Sequence, residues 1–108
     1  MAEEVFELKI LAPAQNELED IARLYLALVG SKSAQRITDK IYDALEQLTR
    51  FPFSGPPVRD MELRSLGYRY ILADKYVAIY KLIGKTVVVY HIFDGRSDYP
   101  ALFKYELF

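Results

Sequence analysis

LGYRYILADKYVAIYKLIGKTVVVYHIFDGRSDY, residues 66–99, predicts three consecutive β-strands. The first two, Tyr68–Leu72 and Tyr76–Ile83, are rich in aromatic and β-branched residues, and Thr86–Phe93 forms the third. The dipeptide Gly84-Lys85 separates the last two strands. Glycine at the first position of a two-residue loop is typical of a type II′ hairpin turn, because glycine adopts the required positive φ without strain. This turn predicts how the two strands pair.

The predicted register places Tyr80 opposite Val89 and Ala78 opposite His91. Opposed residues share a face of an antiparallel pair. One predicted face holds Tyr76, Ala78, Tyr80, Leu82, Val87, Val89, His91 and Phe93. The other face holds Val77, Ile79, Lys81, Ile83, Thr86, Val88, Tyr90, Ile92 and Asp94. Both faces are largely apolar, whereas a sheet with one wet face alternates apolar and polar residues. We therefore expect both faces to be covered.

The rest of the chain predicts one more strand, two helices and a short tail. Val5–Leu11 alternates as a half-buried strand, and helical apolar spacing follows from Pro13 to Gly30 and from Ser31 to Arg50. Phe51–Asp60 is a Pro/Gly loop. The tail, Pro100–Phe108, is short and very apolar, so its side chains need burial on this sheet or on a partner.

The order β-αα-βββ predicts an α+β fold in a single domain, residues 1–108. We expect a helical hairpin packed on one face of a mainly antiparallel four-stranded sheet, with the first strand inserted beside a later one. Two helices cannot cover both faces. The second face is left to the tail, a ligand or another protein.

Composition limits the function classes. The 108 residues include no cysteine, which excludes disulfides and thiolate metal sites, and one histidine, which excludes a His-rich metal site. The sequence predicts no signal peptide, no membrane span, no cofactor and a cytoplasmic location. The net charge is −1. Because nucleic-acid affinity comes largely from Lys and Arg, any nucleic-acid site must be a local patch.

Arginines within aromatic strands are the strongest site candidates, since GxSxG, HExxH and P-loop motifs are absent. A three-residue connection, Ala73–Lys75, would place Arg69 opposite Ile79. Arg69 and Arg96 would then converge with Lys81 and Tyr90 on an anion-binding concavity. The equally weighted alternative is an Arg69–Asp94 or Arg96–Asp98 ion pair that ties strands together.

The remaining polar and aromatic candidates have simpler interpretations. His91 is a buried core histidine or, with less weight, a proton-transfer group. Five strand tyrosines are mostly core residues: Tyr68, Tyr70, Tyr76, Tyr80 and Tyr90. Three acidic residues form a solvated helix face: Glu17, Glu19 and Asp20.

Four segments together resemble the RelE/ParE superfamily of bacterial type II toxins. They are the helix entry LAPAQNELEDIARLY, the loop LTRFPFSG, an arginine seven residues before a Tyr-x-x-x-Tyr strand (Arg69, Tyr76, Tyr80), and the terminal GRSDYPALF. The resemblance spans nearly the whole chain. It implies a growth-inhibiting, plasmid-stabilisation type of toxin, neutralised by a cognate antitoxin.

The resemblance implies two mechanisms. A RelE-like chain would be a ribosome-dependent mRNA endoribonuclease (an mRNA interferase), with four tentative catalytic residues: Arg69, Arg96, Tyr99 and His91. A ParE-like chain would bind DNA gyrase and cleave nothing. Val77 stands where many RelE-type nucleases have arginine, and Asp94 where many have histidine. Losing one group that stabilises a transition state typically slows a reaction ~10²–10³-fold, so these departures favour the protein target.

The expected partner-binding surface combines sheet and tail residues: Val77, Ile79, Lys81, Tyr90, Leu102 and Phe103. Apolar side chains there suit an antitoxin peptide that folds on binding. Two further interpretations stay open. The chain is a degenerate, non-toxic member that keeps only antitoxin binding, or, with least weight, a small-ligand domain with a closed pocket lined by Arg69 and Tyr90.

Overall fold

The computed structural model describes the backbone of residues 5–107 and the side chains of residues 5–105. The elements in chain order are β1 (Glu7–Ile10), α1 (Ala12–Leu28), α2 (Ser31–Arg50), α3 (Met61–Ser65), β2 (Arg69–Ala73), β3 (Tyr76–Ile83), β4 (Thr86–Asp94) and α4 (Tyr99–Leu107). Residues 1–4 of the predicted N-terminal segment, Phe108 and the side chain of Leu107 lie outside the described residues. None of the described helices has both the length and the apolar composition that crossing a bilayer requires.

The four strands form one sheet in the order β1-β4-β3-β2. β1 runs parallel to β4, and the other two pairings are antiparallel. A parallel neighbour needs a long connection, and the chain from α1 to β3 lies between β1 and β4. The predicted α+β fold is therefore confirmed, including the insertion of the first strand beside a later one.

The helical hairpin covers the first face of the sheet. α1 buries Ala14, Leu18 and Ile21, and α2 buries a longer stripe at helical spacing. These side chains pack on inward-facing strand residues, Tyr76, Ala78, Tyr80, Val87, Val89 and Ile92. Pro13 lies in the first turn of α1, where its missing N–H leaves no hydrogen bond unmade. α2 ends at Arg50, as predicted.

The β3–β4 pairing follows the predicted register only near the turn. Gly84 has φ of +59°, and Tyr80 pairs with Val89 as expected. Beyond that pair, Ile79 lies opposite His91, so Tyr90 is the extra residue of a β-bulge. A one-residue shift moves every later side chain to the other face. The predicted faces of His91, Phe93 and Ile92 were therefore wrong: Ile92 joins the helix side.

The β2–β3 turn contains two residues, Asp74 and Lys75, one fewer than predicted. Asp74 adopts a left-handed conformation, with φ of +55°, which aspartate tolerates better than most residues. The shorter turn pairs Arg69 with Tyr80 and not with Ile79. The prediction that Arg69 shares a face with Val77 and Lys81 was wrong for this reason.

Two short helices on the second face were not predicted. α3 buries Leu63, and α4 buries Phe103, on a second core that includes Tyr68, Val77 and Ile79. The apolar tail is thus helical and partly packed on its own sheet. Leu102 and Tyr105 remain exposed on the outer side of α4.

Candidate functional site

The second face of the sheet is an aromatic cluster closed by α4. The ring of Phe103 lies 4.8 Å from that of Tyr68, 5.3 Å from that of His91 and 6.1 Å from that of Tyr90, between centroids. Phe103 is 1% exposed, and Val77 and Ile79 beneath it are as fully buried. The prediction that these three residues form an open partner-binding surface was wrong, because the protein's own C-terminal helix covers them.

An ion pair at the rim holds α4 to α3. Lys104 Nζ lies 2.7 Å from Asp60 Oδ2 and 3.6 Å from Glu62 Oε1. The hydrogen bond from Lys104 lowers the pKa of Asp60, and the same bond raises the pKa of Lys104. Asp60 also accepts a hydrogen bond from the Leu63 backbone N–H at the start of α3. One carboxylate therefore orients both short helices.

Arg69 is bound to the loop between α2 and α3. Its Nε donates to the Gly55 carbonyl at 2.7 Å and its Nη2 to the Phe53 carbonyl at 3.3 Å. The guanidinium also lies 5.2 Å from the centroid of the Phe53 ring. Arg69 thus satisfies its charge by tying the loop to β2. Neither the predicted anion-binding concavity nor the Arg69–Asp94 ion pair is present.

Arg96 lies past the end of β4 and pairs with Asp94. Its Nε and Nη2 donate to Asp94 Oδ1 and Oδ2 at 3.1 and 3.0 Å, a bidentate contact. Asp94 lies opposite Tyr76 of β3, four residues from Tyr80, which lies opposite Arg69. The backbones of Arg69 and Asp94 are therefore about 13 Å apart along the sheet and about 10 Å across it, from strand dimensions, and Arg96 lies two residues past Asp94.

The Arg96–Asp94 pair predicts a measurable titration. The hydrogen bonds from Arg96 lower the pKa of Asp94 to about 2, from 3.8. A lowered folded-state pKa contributes stability above pH 4 that is lost as the pH falls toward 2. We expect Arg96→Ala to raise the Asp94 pKa toward 3.8 in an NMR titration, though not fully, since the backbone N–H of residue 96 still donates. Arg59→Ala is the control and should leave the pKa of Asp94 unchanged. If the pKa of Asp94 also stays unchanged in Arg96→Ala, the ion pair between the two residues is contradicted.

His91 is buried beside a carboxylate from α1. Its Nδ1 lies 3.1 and 3.2 Å from the two oxygens of Glu17. An ionised carboxylate only accepts, so Nδ1 carries the proton. Glu17 Oε1 also accepts from the Ile92 backbone N–H at 2.9 Å. These contacts attach α1 to β4 just past the bulge. The prediction that Glu17 lies on a solvated helix face was therefore wrong, because its carboxylate links the two elements.

Glu17→Ala will lower the free energy of unfolding by about 1–3 kcal/mol, because the buried Ile92 N–H loses its acceptor. Urea denaturation measures the change. Glu19→Ala is the matched control on the same helix; its partner Arg23 is exposed, so we expect a loss of at most about 0.5 kcal/mol. Equal losses in the two variants would show that Glu17 carries no buried interaction.

The other predicted residues line the rim of the second face. Tyr99 stacks on Phe93, and burial raises its pKa. Lys81 Nζ lies 4.9 Å from the centroid of the Tyr68 ring. Tyr90 is half-buried, and burial raises its pKa as well. Leu102 is 51% exposed, whereas the other aliphatic and phenylalanine side chains of the predicted partner-binding set are buried.

Phosphate-directed cleavage needs a free cation and a proton-transfer group within reach of one substrate. Arg69 is bonded to carbonyls, Arg96 is paired with a carboxylate, and His91 is buried under Phe103. Tyr99 lies at the start of α4 with a raised pKa. His91 and Tyr99 stack on the same ring, that of Phe93, whereas Arg69 is held by the loop between α2 and α3. The arrangement supports binding by surface contact better than bond cleavage.

Comparisons with known proteins match this geometry to a family. The family model described as "ParE toxin of type II toxin-antitoxin system, parDE" matches residues 8–99. A structure of the chromosomal ParDE system from P. aeruginosa aligns with a TM-score of 0.71 at 20% identity, covering 84% of this chain and 97% of that one. The RelBE2 toxin–antitoxin complex from Mycobacterium tuberculosis aligns with a TM-score of 0.63 at 19% identity, covering 83% and 98%. No match is found among curated proteins.

Proposed function

The chain belongs to the ParE toxin family of type II toxin–antitoxin systems, and from this premise we propose that it inhibits growth by binding DNA gyrase, not by cleaving RNA. One observation carries the choice of mechanism. Of the four residues that a nuclease would need, three (Arg69, Arg96 and His91) are engaged in contacts within the fold, and burial raises the pKa of the fourth, Tyr99.

The outer surface of α4 and the adjacent loop form the proposed gyrase-docking surface, made of Arg96, Leu102 and Tyr105. The Arg96 side chain is 80% exposed despite its bond to Asp94. Leu102 and Tyr105 are exposed apolar residues on a helix whose inner side is anchored by Phe103. Aromatic and arginine side chains are the usual anchors of protein interfaces, and Leu102 adds apolar area beside them. Docking therefore requires no opening of the aromatic cluster beneath.

Expression in bacteria tests the proposal by measuring DNA synthesis and protein synthesis separately. We expect DNA synthesis to stop and DNA-damage signalling to rise while translation continues. Early arrest of translation, with mRNA cut at a fixed codon position, would overturn it. The double variant Leu102→Asp/Tyr105→Ala should lose toxicity. Leu26→Asp, an exposed apolar position on α1, is the matched control and should keep it.

We also propose that a cognate antitoxin neutralises the chain. Both similar structures come from toxin–antitoxin systems, and the toxins align over more than four-fifths of this chain. Because α4 covers the second face of the sheet, we expect the antitoxin to bind side chains that are exposed in this structure. Co-expression of the adjacent reading frame should restore growth, and its protein product should co-purify with the chain. Restored growth without a complex would contradict direct neutralisation.

A further inference from the structure

A row of three cations crosses the exposed side of α2, although the chain as a whole carries a net charge of −1. Lys32, Arg36 and Lys40, the basic stripe, recur at intervals of four residues and are all exposed. Residues four apart lie on the same side of a helix. We propose that the basic stripe, with Lys75, binds the phosphate backbone of duplex DNA without reading its sequence.

A pocket beside the stripe gives the first support. It has a volume of about 200 Å³ and is lined by Tyr25, Ser33, Arg36, Ile37, Lys40 and Asp74. Lys75 Nζ lies 5.8 Å from the centroid of the Tyr25 ring and 5.7 Å from that of Tyr76, at the border of this pocket. Two cations, two hydroxyls and a nearby ammonium thus surround a concave space, which one carboxylate, that of Asp74, also lines. A phosphate group needs this combination of charge and donors.

The energetics of α2 give the second support. Like charges four residues apart destabilise a helix, and the stripe contains two such pairs. Among the described residues, no carboxylate lies within ion-pair distance of Lys32, Arg36 or Lys40, whereas Arg23 on α1 has two such partners. Asp39 instead accepts a hydrogen bond from Gln35. Asp39 and Asp43 follow Arg36 and Lys40 by three residues, a spacing that offsets part of the repulsion between the like charges. The remaining repulsion has no direct ion pair against it among the described residues, which is typical of a functional feature.

The shape of the site favours a duplex over a single strand or a free anion. The stripe spans nine residues of helix, about 12 Å from the first to the last, so it matches a line of phosphates better than one point charge. Single-stranded nucleic acids need exposed aromatic rings on which bases stack. The pocket's one aromatic residue, Tyr25, is half-buried and covered by Lys75. Three carboxylates, Asp39, Asp43 and Asp74, border the stripe and limit it to weak binding.

Fluorescence anisotropy of a short labelled DNA duplex tests the proposal with the purified chain. Four phosphate contacts predict that log K falls against log salt with a slope of about −3 to −4. The triple variant Lys32→Gln/Arg36→Gln/Lys40→Gln should bind at least about tenfold more weakly at about 50 mM salt, with the slope reduced by about 3. Lys9→Gln/Arg23→Gln/Arg50→Gln removes the same charge elsewhere and should change affinity no more than about twofold.

Three results would overturn the proposal. They are no binding by the wild-type chain at low salt, equal losses in the two triple variants, or tighter binding of single-stranded DNA or duplex RNA than of duplex DNA. Thermal unfolding separates binding from structure. The stripe variant should melt at or above the wild-type temperature, and a lower melting temperature would indicate a structural role. The assay contains no gyrase, so the result for DNA binding can fail or succeed independently of the proposed inhibition of gyrase.

Discussion

Gly55→Ala will lower the free energy of unfolding by about 3–4 kcal/mol, the largest change in stability that we expect from a single substitution in this fold. A Cβ at this position would lie 2.3 Å from the Tyr70 carbonyl oxygen and 2.7 Å from the Tyr80 hydroxyl. Overpacking costs about 1–3 kcal/mol. The loop must also move away from hydrogen bonds to Tyr80 and Arg69, each of which contributes about 1 kcal/mol.

Urea and thermal unfolding measure this effect. The melting temperature should fall by roughly 10 °C or more for a domain of this size. Ser54→Ala is the control, because Ser54 is the exposed neighbour in the same loop, and it should change stability by less than about 0.5 kcal/mol. If Gly55→Ala behaves like Ser54→Ala, the loop does not pack against β2 and β3 as described.

Phe103→Ala will lower the free energy of unfolding by about 3 kcal/mol and loosen α4. Deleting a buried aromatic side chain removes apolar burial and leaves a cavity, which costs about 3–5 kcal/mol in a core. We expect the low end of this range, because Phe103 is the one fully buried side chain among the described residues of α4, and its other contacts, the Tyr99–Phe93 stack and the Lys104 ion pairs, lie at the rim. The ring contacts to Tyr68, Tyr90 and His91 disappear together.

Denaturant unfolding and amide hydrogen exchange in α4 report the two parts of this prediction. Tyr105→Ala is the matched control on the same helix, since Tyr105 is 88% exposed, and both measurements should stay at wild-type values. A Phe103→Ala variant with unchanged stability and unchanged exchange would mean that α4 does not close the second face. That result would restore the open surface that the sequence predicted.

The sequence predicted the strands and helices well because their signals are local. Gly84-Lys85 defines a turn whose geometry depends on two residues, and the first four pairs of the β3–β4 hairpin follow from it. The apolar spacing of α1 and α2 likewise depends on neighbours within a few turns. The surplus of apolar residues in the tail correctly indicated a need for burial, although the helix itself was missed.

The site was harder to predict because its geometry depends on single-residue differences. The bulge at Tyr90 and the two-residue turn at Asp74 each shift a register by one, and each shift changes which face a side chain occupies. The partners of Arg69 lie 14 and 16 residues away in a loop, and Glu17 lies 74 residues from His91. No local pattern reports such contacts.

The basic stripe, unlike these long-range contacts, follows from a local sequence pattern. Lys32, Arg36 and Lys40 are visible in the sequence as a period of four, and the net charge of −1 already limits any nucleic-acid site to a local patch. What the sequence could not show was the absence of acidic partners. That absence depends on how Asp39 and Asp74 are oriented in the folded protein.

DNA supercoiling by purified gyrase, run beside mRNA cleavage on translating ribosomes, tests most directly whether the chain acts by binding a protein. We expect the purified chain to inhibit supercoiling, Leu102→Asp/Tyr105→Ala to abolish the inhibition, and ribosome-bound mRNA to stay intact. Intact supercoiling together with mRNA cuts that disappear in Arg96→Ala would contradict this expectation, and would mean that the dispersed arginines assemble on the ribosome into a catalytic site.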